Sequence, residues 1–314
     1  MNITILDTAT LADTSLDSLA NLGTLSCYDL TDPQDVVSRC QDADIIITNK
    51  VVIDQKAMSQ LSNLKLICVA ATGTNNIDLD AAKTHNIAVT NVAGYSTPSV
   101  VQHTFALITN LLGNTHRYIQ DCQSAKWQQS PMFCRLDYRF NDMSGKTLAI
   151  IGYGSLGKAV ADVGRAFGVN VIISERKGHA PREGRVSFEE AIKTADIISI
   201  HCPLTDETRN QIAAKELNMM KSTAILINTA RGGIINEADL ANALANNVIA
   251  GAGVDVLSKE PAEENNPLAI YQGDNLLLTP HIAWASQESI ARLVAEIALN
   301  INAFSQGEAR NRLV

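Results

Sequence analysis

Three glycines in the middle of the chain have the spacing of a phosphate-binding turn. They are Gly152, Gly154 and Gly157, and they stand between the apolar run KTLAII and a segment with helical periodicity. The first glycine permits a tight turn, the second lets the backbone approach a pyrophosphate, and the third allows helix and strand to pack closely. The start of the helix would offer free N–H groups and its positive dipole end to the phosphates. Strand, glycines, helix and second strand in this order predict a dinucleotide-binding fold.

An acidic residue ends the second strand of this segment, eighteen residues beyond the last glycine. Glu175 can accept hydrogen bonds from the hydroxyls of the adenosine ribose, and its charge would repel a 2′-phosphate. Two cations, Arg176 and Lys177, follow directly. These two side chains either lie in solvent at the end of the strand or bind the 2′-phosphate of NADP(H). The sequence therefore predicts NAD as the cofactor and leaves NADP open.

Three further polar residues follow apolar strand patterns in the second half of the chain. Arg231 comes after AILIN, Glu260 lies in VDVLSKEP, and His281 follows NLLLTP. A guanidinium at a strand end suits a substrate carboxylate or carbonyl oxygen, with a structural ion pair as the alternative. A single histidine at a strand end is more often structural than catalytic. Because ligands bind at the carboxyl ends of parallel strands, the three residues together predict a reaction centre at that edge.

The elements that must position these residues alternate along the whole chain as short apolar runs and helical segments. This alternation is typical of α/β proteins with parallel sheets. Because the glycine turn lies mid-chain, the cofactor domain must interrupt the other domain. The predicted fold has two doubly wound parallel-sheet domains, with the reaction expected in the cleft between them. A Rossmann domain at 98–285, with a long helix and a dimerisation arm near 98–145, is inserted in a split flavodoxin-like substrate domain of residues 1–97 and 286–314.

The composition disfavours several function classes. Asp and Glu number 33 against 25 Lys and Arg, and the net charge of -8 argues against nucleic acid or an anionic membrane as partner. No apolar run reaches the length of a membrane span, and the N-terminus lacks the features of an export signal. Six cysteines are scattered without a CxxC pair or metal-ligand spacing. This distribution predicts a cytoplasmic protein with reduced thiols and no metal.

The segments GYGSLG, NTARGG, DVLSKEP and TPHIAWAS, in this order, resemble the D-isomer-specific 2-hydroxyacid dehydrogenases, and the likeness covers nearly the whole chain. ITNKV, LKLICVAATGTNNIDL, NVAGYSTPSVVQHTFAL and MFCRLDYRF are most similar to the glycerate dehydrogenase (hydroxypyruvate reductase) branch. The resemblance implies that His281 is the general acid and base and that Glu260 favours its imidazolium form. It implies that Arg231 binds the substrate carboxylate or carbonyl, and that the reaction interconverts hydroxypyruvate and D-glycerate with NAD(H).

The same resemblance implies a wider set of binding residues. Asp255, which ends AGAGVDV, would accept a hydrogen bond from the nicotinamide amide, with the cap of a turn as its alternative role. Thr72 and Gly73 would clamp the substrate carboxylate. Apart from the resemblance, Lys50 ends a predicted strand and would either add a cation to the cleft or lie in solvent. The remaining implied cofactor contacts are Ser155 and Leu156 at the pyrophosphate, Cys202 and Pro203 beside the adenosine, and Thr229 and Ala230 near the nicotinamide ribose.

Several alternatives stay open at the level of sequence. A dinucleotide-sensing, non-catalytic protein could use the same scaffold, but it would have little need of Arg231, Glu260 and His281 together. Among enzymes, glyoxylate, lactate or another 2-keto acid competes with hydroxypyruvate. Trp284 stands where many family members have a glycine-rich segment, and it either narrows the pocket for a small substrate or packs at the domain boundary. The long helix and the polar, aromatic-bearing stretch 123–145 predict a homodimer.

Overall fold

The computed structural model describes residues 1–314 and divides into two compact units. The discontinuous unit comprises Met1–Ser96 and Ala285–Val314, and the central unit comprises Thr97–Trp284. These boundaries lie one residue from those predicted. None of the helices combines the length and the apolar character that a membrane-spanning segment needs.

Each unit is built on one parallel sheet covered by helices, so the predicted α/β class is confirmed. The strands are β1 (Asn2–Ile5), β2 (Thr24–Cys27), β3 (Ile45–Thr48), β4 (Leu66–Val69), β5 (Ala88–Thr90), β6 (Thr147–Ile151), β7 (Asn170–Ser174), β8 (Ile197–Ile200), β9 (Ile225–Asn228), β10 (Gly251–Val254) and β11 (Leu276–Leu278). The helices are α1 (Asp17–Ala20), α2 (Val36–Cys40), α3 (Gln55–Met58), α4 (Leu79–Thr84), α5 (Thr97–Gly113), α6 (Thr115–Gln123), α7 (Ser155–Ala166), α8 (Phe188–Thr194), α9 (Ala214–Met219), α10 (Glu237–Ala245) and α11 (Gln287–Ser305).

In the discontinuous unit the strand order is β2-β1-β3-β4-β5. Strands β3 and β4 are buried along their whole length, because every residue of IIIT and LICV is covered on both faces of the sheet. Helix α11 returns from the end of the chain to pack on α1 and β4. Its apolar residues at helical spacing, such as Leu293 and Ile297, are fully buried.

In the central unit the strand order is β11-β10-β9-β8-β6-β7. Helices α5 and α7 pack on one face of this sheet, and α8, α9 and α10 pack on the other. Strand β6 has β7 on one side and β8 on the other, so the chain reverses its direction of winding at β6. Ligands of doubly wound sheets bind at the carboxyl ends of the strands at such a reversal.

Several elements differ from the sequence prediction. The helical pattern that starts at Thr97 forms two helices, because α5 ends at Gly113 and Asn114 adopts a left-handed φ of 49°. Strand β2 was not predicted, since it is a largely exposed edge strand without a clear apolar pattern. Helices α8 and α9 were also not predicted, because each is shorter than two full turns and depends on packing against the sheet.

Candidate active site

The glycine turn lies between β6 and α7, where the winding of the sheet reverses. Gly152 has a φ of 94°, and a Cβ added there would collide with the backbone of Cys202. A Cβ added at Gly157 would collide with the carbonyl oxygen of Gly152. A Cβ at Gly154 would meet nothing within 4 Å, and this glycine is the N-cap residue of α7. The turn therefore leaves open space in front of the free N–H groups of α7, which suits the pyrophosphate of a dinucleotide.

A cavity of about 460 Å³ adjoins this turn at the carboxyl edge of the sheet. Five predicted cofactor residues line it, namely Gly152, Gly154, Glu175, Cys202 and Pro203. Ser155, Leu156 and Gly157 form the first turn of α7 beside it. Thr229 and Ala230 are buried, and the hydroxyl of Thr229 lies 3.0 Å from that of Thr104.

Glu175 is buried at the end of β7 and is paired with an arginine that the sequence analysis did not identify. Arg182 donates from Nε and Nη2 to the two carboxylate oxygens over 2.6 and 2.7 Å. The N–H of Arg176 donates to the same carboxylate over 3.0 Å. Hydrogen bonds from Arg182 and from the backbone hold the pKa of Glu175 well below its usual range. Lys177 forms an ion pair, since its Nζ lies 2.9 Å from Oε1 of Glu216.

His281 and Glu260 form a hydrogen-bonded pair at the same edge of the sheet. Nδ1 of His281, which follows β11, lies 2.6 Å from Oε2 of Glu260 in the loop after β10. The other carboxylate oxygen accepts a hydrogen bond from the N–H of Leu257 over 2.9 Å, which orients it. The side chains of His281 and Glu260 are 25% and 34% exposed. They border a cavity of about 250 Å³, so a small molecule can reach them.

A buried aspartate holds the turn that carries His281. The φ of His281 is 55°, a left-handed conformation that is uncommon for a residue with a side chain. Asp255 accepts hydrogen bonds from the N–H groups of Ile282 and Ala283 over 3.0 and 2.9 Å and from the hydroxyl of Thr279 over 2.5 Å. Its side chain is 0% exposed. These hydrogen bonds show Asp255 in its alternative role, the cap of a turn. Asp255 also lines the cavity beside His281, and its contact with the nicotinamide amide stays a prediction.

Two more residues brace this turn. Nε2 of His103, on α5, lies 3.0 Å from the hydroxyl of Thr279 and 3.5 Å from Oδ1 of Asp255. The indole N–H of Trp284 donates to the carbonyl oxygen of His281 over 2.9 Å. Sequence reasoning did not identify His103 as a partner of the site, because one histidine within a helix carries no signal for a contact so distant in the chain.

Arg231 lies at the end of β9, the neighbour of β10. Its guanidinium is exposed and donates from Nη1 to the carbonyl oxygen of Ala230 over 2.7 Å. The next residue, Gly232, packs so tightly on the loop after β10 that an added Cβ would collide with the carbonyl of Leu257. That loop also carries Glu260. The structure therefore brings the loops of Arg231 and Glu260 together at one edge of the sheet.

The predicted substrate-binding residues of the discontinuous unit lie at the carboxyl ends of two neighbouring strands. Thr72 and Gly73 follow β4, and Lys50 follows β3. The hydroxyl of Thr72 donates to the carbonyl of Val92 over 2.9 Å. The carboxylate of Asp7 accepts a hydrogen bond from the N–H of Lys50 over 2.7 Å. Asp7 is a buried acid that sequence reasoning did not single out, and it shapes the turn that ends β3.

All six cysteines are free thiols, and no group of three or more His, Cys, Asp or Glu side chains is arranged to hold a metal ion. Burial raises the pKa of Cys40 and of Cys68 to about 12. Because the thiolate is the reactive form, these two side chains act as small apolar residues of the core.

His201 ends β8 and lines the cavity beside the glycine turn. Its Nε2 lies 2.8 Å from the hydroxyl of Ser199, whereas its buried Nδ1 has no hydrogen-bond partner. Burial lowers the pKa of His201 from 6.5 to about 4. The folded protein therefore holds this histidine neutral.

We expect His201 to reduce stability at acid pH. As the pH falls from 6.5 to about 4, the unfolded chain takes up a proton that the folded chain does not. The contribution of neutral His201 to the free energy of unfolding is fully present above pH 6.5. It decreases by about 3 kcal/mol as the pH falls toward 4, at ~1.4 kcal/mol per pKa unit. In urea unfolding, His201→Gln should lose less stability than wild type over this range. Parallel losses in the two proteins would contradict the assignment.

Comparison with known proteins gives consistent matches. The family model described as "D-isomer specific 2-hydroxyacid dehydrogenase, NAD binding domain" matches residues 105–283. A glycerate dehydrogenase of Methylorubrum extorquens is 41% identical over 279 residues, which cover 89% of this chain and 88% of that protein. A hydroxypyruvate reductase of Blautia hydrogenotrophica is 35% identical over 320 residues, with 99% of each chain covered. The solved D-lactate dehydrogenase with NAD+ from Lactobacillus jensenii has a TM-score of 0.81 at 26% identity and covers 100% of this chain and 99% of its own.

Proposed function

Because this chain belongs to the D-isomer-specific 2-hydroxyacid dehydrogenases, it is an NAD-dependent oxidoreductase, and we propose that it interconverts hydroxypyruvate and D-glycerate. The family and the cofactor predicted from the sequence are confirmed by these matches. One observation carries the proposal for the reaction centre. It is the hydrogen bond between His281 and Glu260 at the edge of the sheet that bears the glycine turn.

We assign the proton transfer to His281. Reduction of a keto group requires a hydride at carbon, which is the chemistry that a bound NADH supplies, and a proton at oxygen. Because Nδ1 of His281 bonds to Glu260, Nε2 is the ring nitrogen that gives its proton to the substrate oxygen. The hydrogen bond to the carboxylate of Glu260 keeps the ring oriented. In the reverse direction the neutral ring accepts the proton of the hydroxyl group.

We propose that Arg231 binds the charged end of the substrate. Its exposed guanidinium can bind a carboxylate or a carbonyl oxygen with two N–H donors, and its loop packs on the loop of Glu260. The family resemblance supports Thr72 and Gly73 as further carboxylate-binding residues, and the position of Lys50 after β3 supports it as an added cation. We propose that the cofactor binds at the glycine turn, where the N–H groups of the first turn of α7 would donate hydrogen bonds to its pyrophosphate.

Initial rates test the proposed substrate. Hydroxypyruvate, glyoxylate, pyruvate and phosphohydroxypyruvate are each reduced with NADH, and hydroxypyruvate should have the highest kcat/KM. A small 2-keto acid matches a cavity of about 250 Å³ beside the histidine. A higher kcat/KM with glyoxylate or pyruvate would assign another substrate within the family. Binding of NADH without turnover of any of the four would favour a dinucleotide sensor.

We also propose that the protein is a homodimer whose interface includes the segment 123–145. Phe133, Leu136 and Phe140 are 91%, 75% and 75% exposed, and large exposed apolar side chains that are close in the chain are typical of an interaction surface. The segment is nevertheless well anchored. Asp121, which is buried, accepts hydrogen bonds from Lys126 over 2.8 Å and from Arg135 and Tyr138 within the segment.

A charge placed in this apolar surface should dissociate the dimer. We expect wild type to have a dimeric mass in light scattering at micromolar concentration, and Leu136→Asp to shift it toward the monomer, because the new carboxylate would be desolvated at the interface. Leu30→Asp is the matched control, since Leu30 is 71% exposed and lies in the discontinuous unit. A monomeric wild type, or equal effects of the two variants, would contradict the proposal.

The proposed location is the cytoplasm, where thiols remain reduced. All six cysteines are free in the structure, which supports this location. Fractionation of cells that express the protein tests the proposal, with recovery in the cytoplasmic fraction expected.

A further inference from the structure

The backbone of His281 is held by groups outside its own strand. Its φ of 55° is left-handed, and such a conformation persists only where the surrounding structure holds it. The N–H of His281 donates to the carbonyl oxygen of Asp255 over 2.8 Å, and the next two N–H groups donate to the carboxylate of the same residue. Three successive N–H groups are therefore fixed to one buried residue.

A chain of hydrogen bonds links this carboxylate to helix α5. The hydroxyl of Thr279 donates to Oδ1 of Asp255 over 2.5 Å, and Nε2 of His103 lies 3.0 Å from that hydroxyl. A threonine hydroxyl has a single hydrogen, so its oxygen is left to accept a hydrogen bond from His103. Nε2 of His103 therefore carries a hydrogen and donates to Thr279, which in turn donates to Asp255.

Helix α5 contacts the turn on both sides of His281. Ser99 lies on the same face of α5 as His103, because residues four apart are neighbours on a helix. The hydroxyl of Ser99 donates to the carbonyl oxygen of Ala283 over 2.7 Å. His103 thus contacts the residue two positions before His281, and Ser99 contacts the residue two positions after it. Only 19% of the side chain of His103 is exposed, so water competes little for its contact with Thr279.

Building on the proposed function, we propose that His103 and Ser99 are positioning residues for the proton donor His281, with His103 acting through Thr279 and Asp255. The bond to Glu260 fixes the rotation of the imidazole ring, whereas the contacts from α5 fix the backbone from which the ring projects. Both are needed to aim Nε2 of His281, because a displacement of about 1 Å can lower a rate by about 10²-fold.

Steady-state kinetics of His103 variants test this inference. His103→Leu should lower kcat for hydroxypyruvate reduction by about tenfold and leave KM nearly unchanged, because the proton donor is misplaced while Arg231 is not. In His103→Gln an amide nitrogen replaces Nε2 at the same number of bonds from the backbone, so most of kcat should return. In His103→Asn the amide lies at the position of Nδ1, so kcat should stay low. Ser99→Ala should lower kcat by about two- to tenfold, the net contribution of one hydrogen bond.

A double-mutant cycle shows whether His103 acts through Thr279. Thr279→Val keeps the shape of the side chain and removes the hydroxyl that joins His103 to Asp255. Because the residues form one chain of hydrogen bonds, His103→Leu combined with Thr279→Val should have a kcat close to that of the slower single variant. Fold-changes that multiply would show independent effects and would overturn the inference.

Thr109→Val is the matched control, since Thr109 lies on the same helix and its hydroxyl donates to the carbonyl oxygen of Phe105 within α5. It should leave kcat unchanged. NMR of the protein with isotope-labelled histidine reports on His281 without turnover. Its ring resonances, identified by their absence in His281→Ala, should shift in His103→Leu and return toward their wild-type positions in His103→Gln.

The outcomes separate this inference from the proposed reaction. Equal kcat values of His103→Leu and His103→Gln, or resonances of His281 that do not move in His103→Leu, would overturn the positioning role. A loss of kcat that only follows a lower melting temperature, in both variants alike, would also overturn it. If the wild type turns over no 2-keto acid while the resonances shift as expected, the proposed function is wrong and the positioning of His281 stands.

Discussion

Replacing His281 with alanine should lower kcat for hydroxypyruvate reduction by about 10²- to 10⁴-fold, the usual contribution of a positioned general acid. The oxygen that becomes a hydroxyl group requires a proton, and the histidine that is oriented by Glu260 is the donor we assign. The dissociation constant of NADH should remain close to that of wild type, because the glycine turn and its cavity lie at other strand ends. Steady-state kinetics and a separate NADH titration measure the two quantities.

Two comparisons make this experiment specific. His85→Ala removes an exposed histidine of the discontinuous unit and should leave kcat unchanged. Imidazole added to the His281→Ala assay should restore part of the rate, since a small acid can enter the space that the side chain leaves. Turnover of His281→Ala at the wild-type rate would assign proton donation to another group.

Replacing Arg231 with glutamine should raise KM for hydroxypyruvate and lower kcat/KM by about 10- to 100-fold or more. A charge-assisted hydrogen bond contributes roughly 1.5–3 kcal/mol, and about 1.4 kcal/mol equals a factor of ten. Glutamine remains polar, but it is shorter and loses the charge and the two-pronged donor. Initial rates over a range of substrate concentrations at saturating NADH give both parameters.

The conservative change Arg231→Lys is the informative control. Lysine keeps the charge but cannot bind two oxygens in the planar geometry of a guanidinium, so its kcat/KM should lie between those of wild type and Arg231→Gln. NADH affinity should not change in either variant. An unchanged kcat/KM for Arg231→Gln would show that the substrate carboxylate is bound elsewhere.

The local part of the site was predictable from the sequence. Gly157 is required by a backbone contact within one strand-turn-helix unit, and Gly152 by its positive φ and by the backbone of Cys202 after β8. Both glycines belong to one short pattern in the sequence. His281 and Glu260 were predicted together because each follows an apolar strand and parallel strands end at the same edge. The structure places them in direct contact.

Other parts of the site were not predictable because they depend on side chains that meet only after folding. Arg182 lies in a loop without periodicity, so its pair with Glu175 has no sequence signal. Asp255 was predicted as a cofactor contact or as the cap of a turn, and only the fold shows that its carboxylate holds the turn of His281. Asn114 breaks a continuous helical pattern, because its left-handed conformation outweighs the amphipathic spacing around it.

By itself, the sequence determined that this protein has two α/β units, a dinucleotide-binding turn and three polar residues at strand ends that suit a dehydrogenase. Those features arise from local periodicity and from residues with fixed chemical requirements. Only the tertiary structure decided which oxygen of Glu260 bonds to His281, that Asp255 holds the turn, and that Arg182 covers Glu175. The reason is physical. Charge pairing and burial are set by distances between segments far apart in the chain, and the spacing of residues along one chain does not contain those distances.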